Sequence, residues 1–309
     1  MSRNASLLIG GVLLGIAAVF VANTGSSSPA AGGGKLDENQ IGKAAGTKAT
    51  SKDGVVRIEW PRTDVAVKVD GMALKPAAGL GSWAAFSATA HGAIVMGDTV
   101  VFQDEVTPAM DAAFAGGLEI TALHNHFFYD EPKVFFMHIG GTGDARQLAA
   151  GVKAVYDRIA QVRAAQSAPT SSFAGDIATP SNITAAPIEQ ILGSKAQVKD
   201  GMVKVSLGRP AKMHGTTVGN EMGVNTWAAF AGDDEHAVVD GDFAMHENEL
   251  QPVLKAMRGE GINIVAIHQH MTHETPRIMF LHYWGKGKAV DLAKAVKSAL
   301  NAQQGVKGS

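Results

Sequence analysis

The sequence predicts an α+β protein built from two tandem copies of one α/β sandwich unit, each ordered β-β-α-β-β-α and set in pseudo-twofold arrangement. Two observations predict it. Residues 121–141, TALHNHFFYDEPKVFFMHIGG, and 265–285, VAIHQHMTHETPRIMFLHYWG, repeat one pattern. The offset between them is 144 residues (His124 against His268) and holds without a gap from Trp83/Trp227 to Ala145/Ala289. An internal repeat of this length sets the architecture before any single element is assigned. Strand-like runs also alternate with helical periodicity in the same order in both copies, which puts helices against a largely antiparallel sheet. A ferredoxin-like topology is the candidate arrangement within each copy.

The chain has 309 residues, enough for two domains of ordinary size. The repeat divides it into a targeting and tether segment at 1–34, a first copy at 35–163, a linker at 164–187, a second copy at 188–302 and a tail at 303–309. The N-terminal run ASLLIGGVLLGIAAVFVA, Ala5–Ala22, is apolar and uncharged and follows Arg3. It reads as a secretory signal or a retained membrane anchor, and either predicts export to the periplasm or cell envelope. NTGSSSPAAGGG then reads as a flexible tether.

The elements follow in order. Asp37 is placed to cap a short helix to Lys43, with a counterpart at Ile188–Leu192. Val55–Trp60 and Met202–Leu207 are matching strands, each after an Asp-Gly turn. Val65–Val69 continues the first copy. Trp83–Ser87 with Ala93–Phe102, and Trp227–Ala231 with Ala237–His246, are strand pairs. Asp104 and Asn248 suit helix N-caps, and Glu105 and Glu249 suit the positive helix terminus. That helix stops at Gly117 or Gly261. Glu119–Phe128 is the next strand, and a turn at Asp130 and Pro132 returns the chain into Lys133–Ile139. Gly140, Gly141 and Gly143 break that strand. Asp144 opens a helix that aligns Leu148, Val152, Val155 and Ile159 on one face. Apolar residues on both strand faces predict that the second sheet face packs against the other copy. The linker is rich in Ser, Ala, Pro and Thr.

Composition narrows the function. Net charge is −2 with no basic run, which argues against a nucleic-acid partner. The absence of cysteine excludes disulfides, thiolate catalysis and Cys-type metal sites. Membrane contact is expected only through the N-terminal segment, if it is uncleaved.

The repeated histidines carry the chemistry. His124, His126 and His138 meet His268, His270 and His282 at the same offset. In a strand, residues i and i+2 share a face, so His124 projects with His126. A hairpin turning about Glu131 places His138 opposite His124, and His282 opposite His268. Three neutral imidazoles suit Zn, Cu, Ni or Fe(II). Asp98, Asp242, Glu105, Glu249 and Glu131 are the acidic candidates to complete the site. The plainer alternative is that the histidines are buried groups satisfied by main chain or carboxylates. Trp83/Trp227 and Phe136/Phe280 read as core. Lys133/Arg277 reads as a solvated charge or an anion contact.

The run GLEITALHNHFFYDEPKVFFMHIGGTGDARQLA, with VMGDTVVFQDEVTPAMDAAF before it, resembles the LppY/LpqO family of exported bacterial proteins. INIVAIHQHMTHETPRIMFLHYWG, after VVDGDFAMHENELQPVLKAM, resembles a second copy of the same domain. The resemblance implies export and brings no established reaction. Its named members resemble lipoproteins, and a chain without cysteine departs from them. Thr275 replaces Glu131 and Gln269 replaces Asn125 in the second copy, so the copies need not be equally competent.

Three functional readings stay open on sequence. One is binding of a transition metal, or of a small ligand through it. A second is a metal-assisted hydrolase or isomerase, with a histidine or Glu105 as general base. A third is a structural or interaction module of the envelope.

Overall fold

The computed structural model describes residues 35–306. The N-terminal signal or anchor and its tether lie outside the described residues, and so do residues 307–309. The first copy runs α1 (Glu38–Ala45), β1 (Ala49–Lys52), β2 (Val55–Pro61), β3 (Lys68–Val69), β4 (Met72–Ala73), β5 (Gly81–Thr89), β6 (Gly92–Phe102), α2 (Gln103–Ala115), β7 (Glu119–His124), β8 (Asp130–Glu131), β9 (Val134–Gly143) and α3 (Ala145–Ala165). The second runs α4 (Ala185–Leu192), β10 (Ala196–Lys199), β11 (Met202–Gly208), β12 (Ala211–Met213), β13 (Thr216–Val218), β14 (Asn225–Gly232), β15 (Ala237–His246), α5 (Leu250–Gly259), β16 (Asn263–His268), β17 (Glu274–Thr275), β18 (Ile278–Gly287) and α6 (Ala289–Gly305).

Twelve strands form one antiparallel sheet in the order β1-β2-β5-β6-β9-β7-β16-β18-β15-β14-β11-β10. The second half mirrors the first. The halves meet where β7 pairs antiparallel with β16 at Leu123 and Ile267, which are equivalent residues of the two copies. Equivalent strands paired antiparallel at equivalent residues are related by a local twofold. The copies therefore join edge to edge, not face to face as the two-sided apolar pattern suggested. The seam carries further bonds. The Gln251 amide bridges both main-chain groups of Ile120, at 3.2 and 2.7 Å, and Arg258 holds Asp111 at 2.8 Å.

Buried residues of all six helices join Val95, Leu123, Val239 and Ile267 in one apolar cluster that crosses the seam. The other sheet face carries only satellite clusters. Val67 and Leu80 cover Val100, Phe102 and Phe136, and Val218 and Val224 cover Ala244 and Phe280. The small hairpins β3–β4 and β12–β13 and the segments that flank them supply these covers, and each hairpin adds β8 or β17 as a third strand. Much of this face is left open, with Met96 63% exposed.

Asp37 and Asp144 cap α1 and α3 as the sequence indicates, each accepting from two main-chain N–H groups. Asp104 and Asn248 do not cap. Phe102 takes the N-cap position of α2, and a 3-10 turn, Glu247–Glu249, precedes α5. Asp104 instead binds Arg163 and the main-chain N–H of Thr170. The strand β9 is not broken at Gly140 and Gly141. Both pair with β6 and extend the ladder to Gly143. The glycine contact that matters is elsewhere, at Gly151, where a Cβ would lie 2.6 Å from the Gly116 carbonyl oxygen. Only a bare backbone lets α3 approach the end of α2 so closely. The linker is pinned along the body, with Ile183 buried and Lys286 donating to the carbonyls of Phe173 and Gly175. Residues 303–305, expected in the tail, complete α6.

Candidate metal centre on the open sheet face

Directly opposed residues of antiparallel strands project to the same face. Trp83, Asp98, His138 and Ala122 therefore form one row across β5, β6, β9 and β7. Trp227, Asp242, His282 and Ala266 form the equivalent row of the second copy. His124 and His268 stand one step along, opposite Phe136 and Phe280. The pairing is thus offset by two residues from a hairpin centred on Glu131. A shift of two keeps every side chain on its face, so the cluster persists while its neighbours change.

The strands β7 and β16 end at His124 and His268, so strand alternation does not place His126 and His270. Ring stacking holds them instead. His126 lies on Phe136 with ring centres 3.3 Å apart, and His270 lies on Phe280 at 3.5 Å. The two phenylalanines read as core from sequence are therefore also the floor of the site.

In the second copy Asp242 is 3% exposed. Its Oδ2 is 3.1 Å from Nε2 of His270, and its Oδ1 is 3.9 Å from Nε2 of His268. One ligand atom from each of Asp242, His268 and His270 lies within 4.8 Å of the others, so this group could hold a metal ion. Asp242 Oδ1 and His268 Nε2 are buried without a hydrogen-bond partner. The ring of His282 is centred 4.6 Å from that of His268, and its Nδ1 is 3.2 Å from the Gly241 carbonyl. Burial, then the neighbouring His282 and His270, pushes the His268 imidazole down to about 4. Burial pushes the Asp242 carboxyl up, against the attraction of His270 and His282. The first shift keeps His268 in the neutral form that ligates, and the second favours a protonated Asp242 that a bound cation would ionise.

The first copy is arranged differently. His124 and His138 face each other, with their Nε2 atoms 3.0 Å apart, so one donates and the other accepts. Asp98, 8% exposed, has Oδ1 3.9 Å from His138 and no hydrogen-bond partner on that atom. The His126 ring is centred 5.1 Å from that of His124. Burial and His124 lower the His126 pKa.

The remaining acidic candidates lie apart. Glu105 is fully buried at the start of α2, bound to Arg62 at 2.7 and 2.9 Å and accepting from the Phe102 main chain at 2.9 Å. Glu249 accepts from His246 N at 2.7 Å and from Arg209 at 2.6 Å. Both satisfy helix-entry donors and neighbouring arginines, Arg62 buried and Arg209 partly so, which explains their retention in both copies without any site role. Glu131 is exposed on β8 beside the first satellite cluster, and nothing among the described contacts ties it to the histidines. A cleft of about 920 Å³ opens beside the second cluster, with Glu119, Gln251, His268, Arg277 and Met279 in its walls.

Fold and site together define a two-repeat, mixed α/β protein with mostly antiparallel sheets and a carboxylate–imidazole group able to hold a metal ion. The chain belongs to the family described as Domain of Unknown Function (DUF1259), which matches residues 39–158 and again 186–302. No curated protein matches the chain. Among solved structures it is similar to a trimeric bacterial microcompartment shell protein, PduB, at 10% identity and a TM-score of 0.21, over 82% of this chain and 89% of that one. The double-ringed trimeric shell protein MSM0271 from the RMM microcompartment matches at 10% identity and the same TM-score, over 82% and 96%. Superposition at that level is too loose to inform the reading of this chain.

Proposed function

We propose that the protein binds a transition-metal ion on its open sheet face through Asp242, His268 and His270, with Asp98, His124, His126 and His138 as the counterpart in the first copy. One observation carries this reading. A buried carboxylate oxygen and a buried imidazole nitrogen face one another at 3.9 Å with no partner for either. A buried polar atom left unsatisfied costs about 1–3 kcal/mol, so two in one place are not explained by packing. Two imidazoles and a carboxylate with open positions suit Zn, Ni, Cu or Fe(II). His282 supports the group from the adjacent strand through its remaining nitrogen.

The cleft beside His268 favours a second reading on the same site, in which the metal takes a small molecule and assists hydrolysis or isomerisation. The near-neutral charge supports a metal or small molecule as partner over nucleic acid. Three further expectations belong to this proposal. The chain is exported to the periplasm or cell envelope on the strength of its apolar N-terminal run. Its repeats are relatives of the LppY/LpqO proteins through their histidine motifs. Each half is a permuted ferredoxin-like unit, which the strand order β5-β6-β9-β7 supports.

The test is metal content by mass spectrometry on protein purified without a histidine tag, after exposure to a mixture of Zn, Cu, Ni and Fe. Bound metal that falls in an Asp242→Asn/His270→Ala variant supports the proposal. A folded wild type that takes up none refutes it.

A further inference from the structure

His214 and His273 stand outside the repeated histidines. At the equivalent positions the first copy carries Asp70 and Tyr129. The structure brings them together all the same. Their ring centres are 6.0 Å apart, with planes at 48°. The backbone explains the meeting. Strand β12 pairs with β17 at Lys212–Thr275 and Met213–Glu274, so the next step of the ladder sets His214 opposite His273. The first copy repeats the frame, with Lys68–Glu131 and Val69–Asp130 followed by Asp70 N donating to Tyr129 O at 3.1 Å. All four residues hold positive φ, 50° and 58° in the first copy and 51° and 66° in the second. The frame is duplicated, and the imidazoles are not.

We propose that His214 and His273 form a second transition-metal site, a two-imidazole chelate for Cu(II), Ni(II) or Zn(II) with water in the remaining positions. Ring centres 6.0 Å apart leave both imidazoles within reach of a shared ion with metal–nitrogen bonds of about 2.0–2.1 Å. Both side chains are exposed, and neither makes a hydrogen bond or ion pair among the described residues, so the ring nitrogens are open to an ion. Positive φ is met readily by His as well as by Gly, Asn or Asp, but the first copy meets it with Asp70 and Tyr129. Conformation alone does not call for histidine at both positions. Residues 271 and 272 alone separate His273 from the His270 of the first centre, so the pair sits on the loop that leads into it. It does not depend on that centre being a metal site.

The test is a Cu(II) titration read by equivalents bound and by electron paramagnetic resonance. The variants are His214→Asp/His273→Tyr and, separately, Asp242→Asn/His270→Ala. The first installs the residues that the other copy already carries on the same backbone, so it is expected to fold. It should lose one equivalent of copper and the corresponding two-nitrogen coupling, while keeping the copper that the Asp242 variant loses. Copper uptake and nitrogen coupling identical to wild type would overturn the proposal. If the exchange variant misfolds, His273→Tyr alone, a change at one exposed side chain, is read by the same criteria. Copper unchanged in the Asp242 variant would count against the first centre and leave this one standing.

Discussion

Asp242 Oδ2 lies 3.1 Å from His270 Nε2, while Oδ1 of the same carboxylate, buried, has no partner at all. A carboxylate placed only for fold stability would be expected to satisfy both oxygens. Here one oxygen and the Nε2 of His268 are held apart across a gap that an ion would bridge.

That arrangement separates ligation from structure in one substitution. Asp242→Asn keeps the shape and removes a buried charge whose protonated form the fold already favours. Stability without metal should hold or rise. Metal affinity should drop by roughly tenfold or more, and the rise in Tm on metal addition should shrink with it. Thermal scans with and without metal check both. A loss of metal-free stability with affinity intact would favour the structural reading.

The pH dependence follows from His268. Its folded pKa is about 4 against an ordinary 6.5, so between those values the unfolded chain binds the proton more tightly. Its contribution to stability is complete above 6.5 and is lost as pH falls towards 4. Asp242, with a raised pKa, acts in the opposite sense, binding a proton more tightly when folded. Denaturant unfolding of metal-free protein at several pH values should show a decline across the histidine window. His268→Gln should flatten that slope by up to about one proton's worth. An unaltered slope would mean that the imidazole is not desolvated as the structure shows.

Glu105 tests the enzyme reading from the other side. Its carboxylate is fully buried, bonded to Arg62 and the Phe102 main chain, with Arg163 Nε 2.7 Å away. Removing one member of a buried ion cluster leaves the others uncompensated and costs about 3–5 kcal/mol. Glu105→Gln should therefore lower the denaturation midpoint sharply and leave metal stoichiometry unchanged in the folded fraction. A stable variant with altered metal or ligand binding would return Glu105 to the site.

The repeat was legible because both copies keep their histidines at one offset, and the strands around Trp83–Phe102 and Trp227–His246 were legible because turns bound them. The mode of association was not. An apolar second face on β16 reads the same whether the other copy, a satellite hairpin or nothing covers it, and the edge pairing at Leu123–Ile267 leaves no motif. Glu105 and Asp98 illustrate the limit at the site. Both are acidic and retained in both copies, yet one neutralises arginines and the other stands in the histidine row. The pairing of β6 with β9, which sets Asp98 opposite His138, decides between them, and sequence spacing does not give that pairing. The Gly-Asp pair at Gly97–Asp98 and Gly241–Asp242, a charge inside an apolar strand, was the signal for the carboxylates that lie beside the histidines.

The two centres should not fill alike. In the first copy the 3.0 Å contact between His124 and His138 satisfies a nitrogen on each ring, and an incoming ion must break it. In the second copy His268 Nε2 has no partner to surrender, and Asp242 already faces His270. A bound ion there gains the unpartnered His268 nitrogen and Asp242 oxygen, gives up only the approach of Asp242 to His270, and neutralises a buried carboxylate. Substoichiometric metal should therefore load the second copy first. With limiting metal, His270→Ala should lose most of the bound ion, whereas His126→Ala should retain it and lose only what binds at excess. Mass-spectrometric metal counts across a titration of both variants give the answer. Equal losses at limiting metal would show that the hydrogen bond between His124 and His138 offers no resistance, and that the copies bind as equivalent sites.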